Sequence, residues 1–221
     1  MNWGIPLAVM LVLFLLKVPV FISILSCGIL YFLMPGSQSI LVLAQRMLSG
    51  MEALPLLAIP FFIMAGVFMN YTGITKRIMH FAELLTGWLP GGLAQVNILL
   101  STLMGGLSGS SIADAAMQSK MLVPEMVRRG YGRTFSAVIT GASSLITSVI
   151  PPGIALIIYG YTANVSIDKL FLAGFGPGIL CCAMMMVLTH FIAKKHGYVP
   201  TMDRPAKPVE VLKASKDAFA A

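Results

Sequence analysis

Two stretches of this sequence gather residues that can do chemistry. The first is Gly105-Gly106-Leu107-Ser108-Gly109-Ser110-Ser111, with Asp114 three residues further on. The second is a hydroxyl-rich run, Thr140, Ser143, Ser144, Thr147 and Ser148, that ends in Ile150-Pro151-Pro152-Gly153. Serine hydroxyls, and carbonyls freed where Gly or Pro interrupts a helix, are oxygen ligands without fixed charge. They suit a cation that must bind and leave repeatedly, while helix N-termini at the same breaks can face an anion. Gly109 lets backbone approach a ligand closely, and a proline pair cannot continue a regular helix. Plainer readings stand beside these. Gly and Ser also serve helix packing in membranes, and proline there can be a mere kink. Asp114 either caps orphan N–H groups behind the turn or faces a polar cavity, where an acid is a functional candidate. Asn97 and Thr140 are further candidates, with a structural amide the plainer role for Asn97.

Composition says what solvent these residues sit in. Of 221 residues, 57% are hydrophobic and only 10% charged, and the mean hydropathy is +0.89. A soluble domain carries about 25% charge, so a soluble enzyme or a nucleic-acid binder is excluded as the main reading. Cys27, Cys181 and Cys182 lie in apolar runs, and adjacent Cys181 and Cys182 point different ways on a helix, which leaves no disulfide framework or metal cluster. The first charge, Lys17, follows the apolar run Trp3–Leu16. That order predicts an uncleaved membrane segment, not a signal peptide.

The apolar runs and their punctuation predict an all-helical chain. Trp3–Leu16 and Val18–Met34 form two helices, and Ser39–Met51 lies at the interface. Ala53–Tyr71 spans, bent at Pro55 and Pro60, and Ile74–Trp88 is an amphipathic surface helix. Leu93–Met104 and Ile112–Val127 are two halves flanking the small-residue stretch, each short for a crossing of about 20 residues and together too long for one. A re-entrant hairpin fits both facts. Thr134–Thr162 is one span broken at Ile150–Gly153, Leu170–Ala193 is the last span, and Tyr198–Ala221 is a polar tail with a short amphipathic start. The domains expected are 1–73 scaffold, 74–91 interfacial arm, 92–162 hairpin and broken helix, 163–197 final span and 198–221 tail. With the N-terminus outside, Lys17, Lys76, Arg77, Arg128, Arg129, Arg133, Lys194 and Lys195 fall inside, against Arg46 and Lys169 outside. This asymmetry obeys the positive-inside rule only if 92–129 enters and leaves from one side.

These residues resemble the large membrane subunit of TRAP (tripartite ATP-independent periplasmic) transporters. The likeness runs in order through Gly105–Ala116, Thr140-Gly141-Ala142-Ser143-Ser144, Ile150–Ile154 and Ser166–Gly174, and covers about residues 1–200. It implies an all-α integral membrane protein, one half of an elevator-type secondary transporter with a re-entrant helical hairpin and a Pro-broken transmembrane helix. It further implies a Na⁺-driven importer of organic acids, dicarboxylates among them, in the bacterial inner membrane, with Na⁺ as coupling ion and no other cofactor. The partners implied are a small TRAP membrane subunit, a periplasmic substrate-binding protein and a C-terminal half of the large subunit. Carried over residue by residue, Ser108, Gly109, Ser110, Ser111, Ser143, Ser144, Pro151, Pro152 and Gly153 would hold Na⁺ beside the substrate. The family's large subunit has a second, inverted half with its own hairpin, and this chain resembles the N-terminal half alone.

Two competing readings remain at this stage. Gly106-Leu107-Ser108-Gly109 matches the G-x-S-G of rhomboid-type intramembrane proteases, with His190 as base of a Ser–His dyad. A non-transporting scaffold would use the Gly174–Gly178 spacing for helix association. Proton coupling through Asp114 is open beside Na⁺.

Overall fold

A computed structural model describes residues 3–34, 39–52 and 54–219. Ala53, where the sequence opens its fourth helix, and Ala220 and Ala221 of the tail lie outside the described residues. Every described element is helical. The chain forms two compact units, 1–54 and 55–221.

In the first unit, α1 (Gly4–Leu15) packs on α2 (Val20–Leu33), and α2 on α3 (Ile40–Met51). Trp3 stacks on Tyr31 with ring centroids 4.4 Å apart. Leu7, Leu11, Leu15, Phe21 and Ile24 are exposed, so α1 and α2 are apolar almost all round, as a lipid-facing pair must be.

The second unit holds α4 (Leu54–Tyr71) from Pro55 onward, and α5 (Ile74–Thr86). Then come α6 (Gly92–Ser108), α7 (Ser111–Arg128) and α8 (Arg133–Val149), followed by α9 (Ile154–Thr162), α10 (Ile167–His196) and α11 (Pro208–Phe219). Pairs α6–α8 and α7–α8 make the centre, with α10 laid against α6, α8 and α9, and α5 between α6 and α11. Among the described residues, α10 alone is long and apolar enough to cross a membrane by itself; α8 and α9 pass that test together, bent by 46° at their break.

One boundary differs from expectation. The stretch Gly105–Ser108 is helical, and only Gly109 and Ser110 separate α6 from α7. In a low-dielectric interior each unpaired N–H or C=O is costly, so the helix continues as long as its sequence permits. The two helices run antiparallel: Gln118 Nε2 donates to Ser101 Oγ at 2.6 Å, and these residues stand equally far from the turn.

The far ends of that hairpin are sewn together by the segment after α10. Tyr198 stacks on Tyr131 at 4.4 Å, its carbonyl accepts from Gly91 N at 3.2 Å and its hydroxyl accepts from Gly132 N at 3.3 Å. Tyr131 Oη donates to Val199 O at 3.3 Å, and Thr201 N to Gly87 O at 2.7 Å. The start of α6 and the α7–α8 turn therefore lie at one end of the unit, beside the C-terminus of α10. Arg128, Arg129, Arg133, Lys194 and Lys195 are in or next to these segments.

Candidate functional site

Three helices turn polar faces toward one another. On α8, Ser136, Thr140, Ser143 and Thr147 recur at i, i+4, i+7 and i+11, which is one helical face; all four are buried, as is Ser144. On α6 the matching stripe is Asn97 and Ser101, and on α7 it is Asp114 and Gln118, all buried. The opposite face of α8 exposes Val138 and Leu145, so α8 is polar inside and apolar outside.

The stripes join in one ladder of hydrogen bonds. Asn97 Nδ2 donates to Thr140 Oγ1 at 2.8 Å, and Ser143 Oγ donates to Asn97 Oδ1 at 2.8 Å. Ser101 Oγ donates to Ser143 Oγ at 3.1 Å and accepts from Gln118, whose Nε2 also donates to Asp114 Oδ1 at 2.7 Å. Thr147 Oγ1 reaches Asp114 Oδ2 and the Ser101 carbonyl, both at 2.9 Å. A buried network of this kind specifies one arrangement because each missing partner exposes an unsatisfied group. One oxygen in it has no partner: Gln118 Oε1. Asp114 is 2% exposed and has no cation in an ion pair with it; among the described residues the ion pairs are Glu125 with Arg128 and Arg129.

At one end of the ladder the two interruptions meet. Gly109 takes a left-handed conformation, φ 57°, and its carbonyl accepts the N–H of Ile154, the first residue of α9, at 3.2 Å. An orphan donor at a helix start is thus satisfied by the hairpin turn. A methyl group on Gly109 would collide with the Pro152 carbonyl oxygen and approach Gly153 Cα at 3.3 Å. On the other side of the break, α10 comes close through two glycines. Added side chains would strike Val149 O from Gly174, at 2.5 Å, and Ile150 from Gly178. The Gly174–Gly178 spacing therefore serves association of α10 with the broken helix.

A cavity of about 260 Å³ lies beside the turn, lined by Ser108, Ser110, Asp114, Met104, Met117 and Ile154 together with Phe62, Ile63, Gly66 and Val67 of α4. Asp114 is the charged residue of that lining.

The sequence-nominated residues fall into three groups. Ser108, Gly109, Ser110, Pro152, Gly153 and Asp114 converge at the turn, the break or the cavity. Ser143, Thr140 and Asn97 are inside the ladder. Ser144 and Ser111 stand apart: Ser144 Oγ donates to Gly141 O of its own helix at 2.9 Å, and Ser111 opens α7 without lining the cavity. Ser108 Oγ donates to Met104 O at 3.3 Å, and Ser110 caps α7 by accepting from Ala113 N at 3.4 Å. Pro151 is buried at the break. His190 lies with Leu89, Gln95, Met186, Val187 and Phe191 in a separate groove, so no histidine lines the Ser108 cavity. Ser101 and Gln118 were not singled out from sequence. Their signal was the i, i+4 spacing from Asn97 and from Asp114.

Among the described residues, all-helical elements with apolar outer faces, and an antiparallel helix pair and a broken helix meeting over a polar interior, have the form of an integral membrane protein. The family described as "Tripartite ATP-independent periplasmic transporter, DctM component" matches residues 7–221, and the chain belongs to it. The chain is 41% identical over 201 residues to the sialic acid TRAP transporter large permease protein SiaM of Vibrio cholerae, covering 91% of this chain and 47% of that protein. It is 42% identical over 197 residues to the sialic acid TRAP transporter permease protein SiaT of Haemophilus influenzae, covering 89% and 32%. The C4-dicarboxylate TRAP transporter large permease protein DctM of Vibrio cholerae is 34% identical over 206 residues, covering 91% and 44%. The chain spans half or less of the length of these relatives and corresponds to the N-terminal portion of a large permease protein.

Proposed function

We propose that the chain is the N-terminal half of the large subunit of a Na⁺-coupled importer of organic acids in a bacterial inner membrane. The α6–α7 pair is its re-entrant hairpin, and α8–α9 its broken span. The N-terminus is periplasmic, and the hairpin-bearing part moves as an elevator against a scaffold. A periplasmic binding protein delivers substrate, and a small membrane subunit and a C-terminal half complete the carrier.

The observation that carries this reading is the seating of Gly109 on the Pro151–Gly153 break, beside a cavity whose charged group is Asp114. A buried carboxylate without a cationic partner is costly in a low dielectric, and an organic anion entering the same cavity would be repelled by it. A bound cation removes both penalties, which ties anion entry to cation entry. The oxygens of Ser108, Ser110, Asp114 and the break are the ligands on offer, and Gln118 Oε1 is a spare acceptor one turn from Asp114. The relatives' names include both sialic acid and C4-dicarboxylates, acids of different size, so selectivity is assigned mainly to the binding protein and the second half of the pocket.

The test is uptake of labelled organic acids by proteoliposomes holding this chain with its second half, small subunit and binding protein, under an imposed Na⁺ gradient. Asp114→Asn separates charge from hydrogen bonding. An amide at this position can accept from Gln118 and donate to Thr147 Oγ1, while Thr147 keeps the Ser101 carbonyl. The variant is expected to fold normally, yet lose Na⁺-dependent uptake. Wild-type uptake that ignores the Na⁺ gradient would end the sodium reading, and a proton gradient applied in its place would show whether Asp114 carries a proton.

A further inference from the structure

The molecule holds a second polar cavity, far larger than the one at the hairpin turn and composed of different chemistry. It lies between α5 and α11, measures about 830 Å³, and is lined by Lys76, Arg77, His80 and Leu84 from α5 and by Glu210, Lys213, Ala214 and Asp217 from α11. Ala82 and Ala214 are buried, which lets the two helices pack while their longer side chains stand around the cleft. Cations and carboxylates share this space without joining: among the described residues no ion pair includes any of them. Arg77 Nη1 donates only to the Asp217 backbone carbonyl, at 3.4 Å, and Glu210 Oε2 accepts from Lys207 N at 3.1 Å. The surroundings are amphipathic. Leu85 at the end of α5 and Trp88 just after it are exposed beyond the cleft, as are Val209 and Leu212 on α11. Exposed Trp and Leu next to lysines mark the level of a membrane interface.

We propose that this cleft binds the headgroup of a zwitterionic phospholipid with a primary ammonium, such as phosphatidylethanolamine. Lys76, Arg77 and Lys213 take the phosphate, with His80 at its edge, and Glu210 and Asp217 take the ammonium. The acyl chains leave along Leu84, Leu85 and Trp88. A purely anionic headgroup would leave the two carboxylates facing like charge. A choline headgroup has no N–H donor to offer them. The volume falls within the range of about 300–1,000 Å³ typical of small-ligand sites.

The test is native mass spectrometry of the chain, purified in nonionic detergent with whatever membrane partners it retains. It is mixed with equal amounts of dioleoyl phosphatidylethanolamine, phosphatidylglycerol and phosphatidylcholine. Preferential retention of phosphatidylethanolamine is expected. Each of Lys76→Gln, Arg77→Gln and Lys213→Gln should weaken it by up to about fivefold. Glu210→Gln with Asp217→Asn should shift retention toward phosphatidylglycerol. Lys194→Gln with Lys195→Gln, outside the cleft, should change nothing. All cleft substitutions are at exposed positions, and circular dichroism checks that helix content is kept; if any one variant unfolds, the remaining single variants carry the comparison. Equal retention of phosphatidylethanolamine and phosphatidylcholine, or unchanged retention in the lysine and arginine variants, would overturn the proposal. So would complete displacement of lipid by inorganic phosphate, which would make the cleft a site for a free phosphate-bearing solute.

Discussion

Helices α8 and α10 lie against each other and obey opposite rules. α10 exposes Leu172, Phe175, Ile179, Leu180, Met184, Val187, Leu188 and Phe191, and buries Gly174, Gly178, Cys182, Thr189 and Ala193. Its inward face is thus mostly small, and it serves close approach. α8 exposes Val138 and Leu145 but buries Ser136, Thr140, Ser143, Ser144 and Thr147. In water both would be inverted. In lipid, an apolar exterior is the rule for every helix, and a polar interior is the exception that needs a reason. The contrast separates a helix that serves close packing from a helix that turns a hydroxyl-rich face to the buried hydrogen-bond ladder.

Substitutions can break this contrast at graded cost. The largest effect is expected from Gly109→Val, where a β-branched side chain must adopt φ near +57° and displace the Pro152 carbonyl. The backbone conformation alone costs about 1–2 kcal/mol, and the turn must lift off the break, so uptake should vanish while the rest of the chain stays folded by circular dichroism. Uptake at wild-type rate would show that the seated turn is incidental. Next comes Ser143→Val, which strands Asn97 Oδ1 and deprives Ser101 of its acceptor. It should lower stability by about 1–3 kcal/mol, read as a fall in the thermal midpoint of the purified complex. On α10, Leu188→Ala should stay within about 0.5 kcal/mol, as surface substitutions usually do. A Leu188→Ala effect as large as that of Ser143→Val would erase the distinction between the two helices.

The sequence revealed the elements better than the site. Pro151-Pro152 marked the break because two missing N–H donors cannot be hidden in a helix. Apolar run lengths likewise placed α2, α4 and α10 within a few residues. The hairpin turn was expected too wide. Gly105 and Gly106 read as breakers by propensity, yet Gly105 is buried in α6 with Ile150 Cβ 2.9 Å from where its own Cβ would be. Glycine there provides room for a neighbour, a purpose invisible without knowing the neighbour. Asn97 and Asp114 could be named because amides and acids are rare in such segments. Ser101 and Gln118 offered only their i, i+4 spacing from Asn97 and Asp114, a weak signal that gains meaning when three helices align their stripes. Ser111 and Ser144 show the converse, with hydroxyls in the right motif that turn back on their own helix or away from the cavity.

The sewn end of the hairpin offers a last and smaller test, because its polar groups are few. Burial pushes the Tyr131 phenol above its ordinary range, chiefly by stripping water from the ionised form, with the Tyr198 phenol acting in the same direction; a backbone contact with Leu93 and the charge of Arg129 pull the other way. A group whose pKa is raised on folding contributes stability that is whole below its unfolded value, near 10 for tyrosine. That contribution is lost as pH climbs through the folded value. Tyr131→Phe removes the donor to Val199 O, so at neutral pH it should cost about 1 kcal/mol. The lysines that also titrate in this window are common to both proteins and cancel in the difference. The gap in thermal midpoint between wild type and variant should therefore be constant from pH 7 to about 9 and narrow above about 10. A gap that stays constant to the alkaline limit would mean that folding does not disfavour ionisation of the Tyr131 phenol; a gap near zero at neutral pH, where Phe keeps the ring stack on Tyr198, would mean that the hydrogen bond to Val199 contributes nothing.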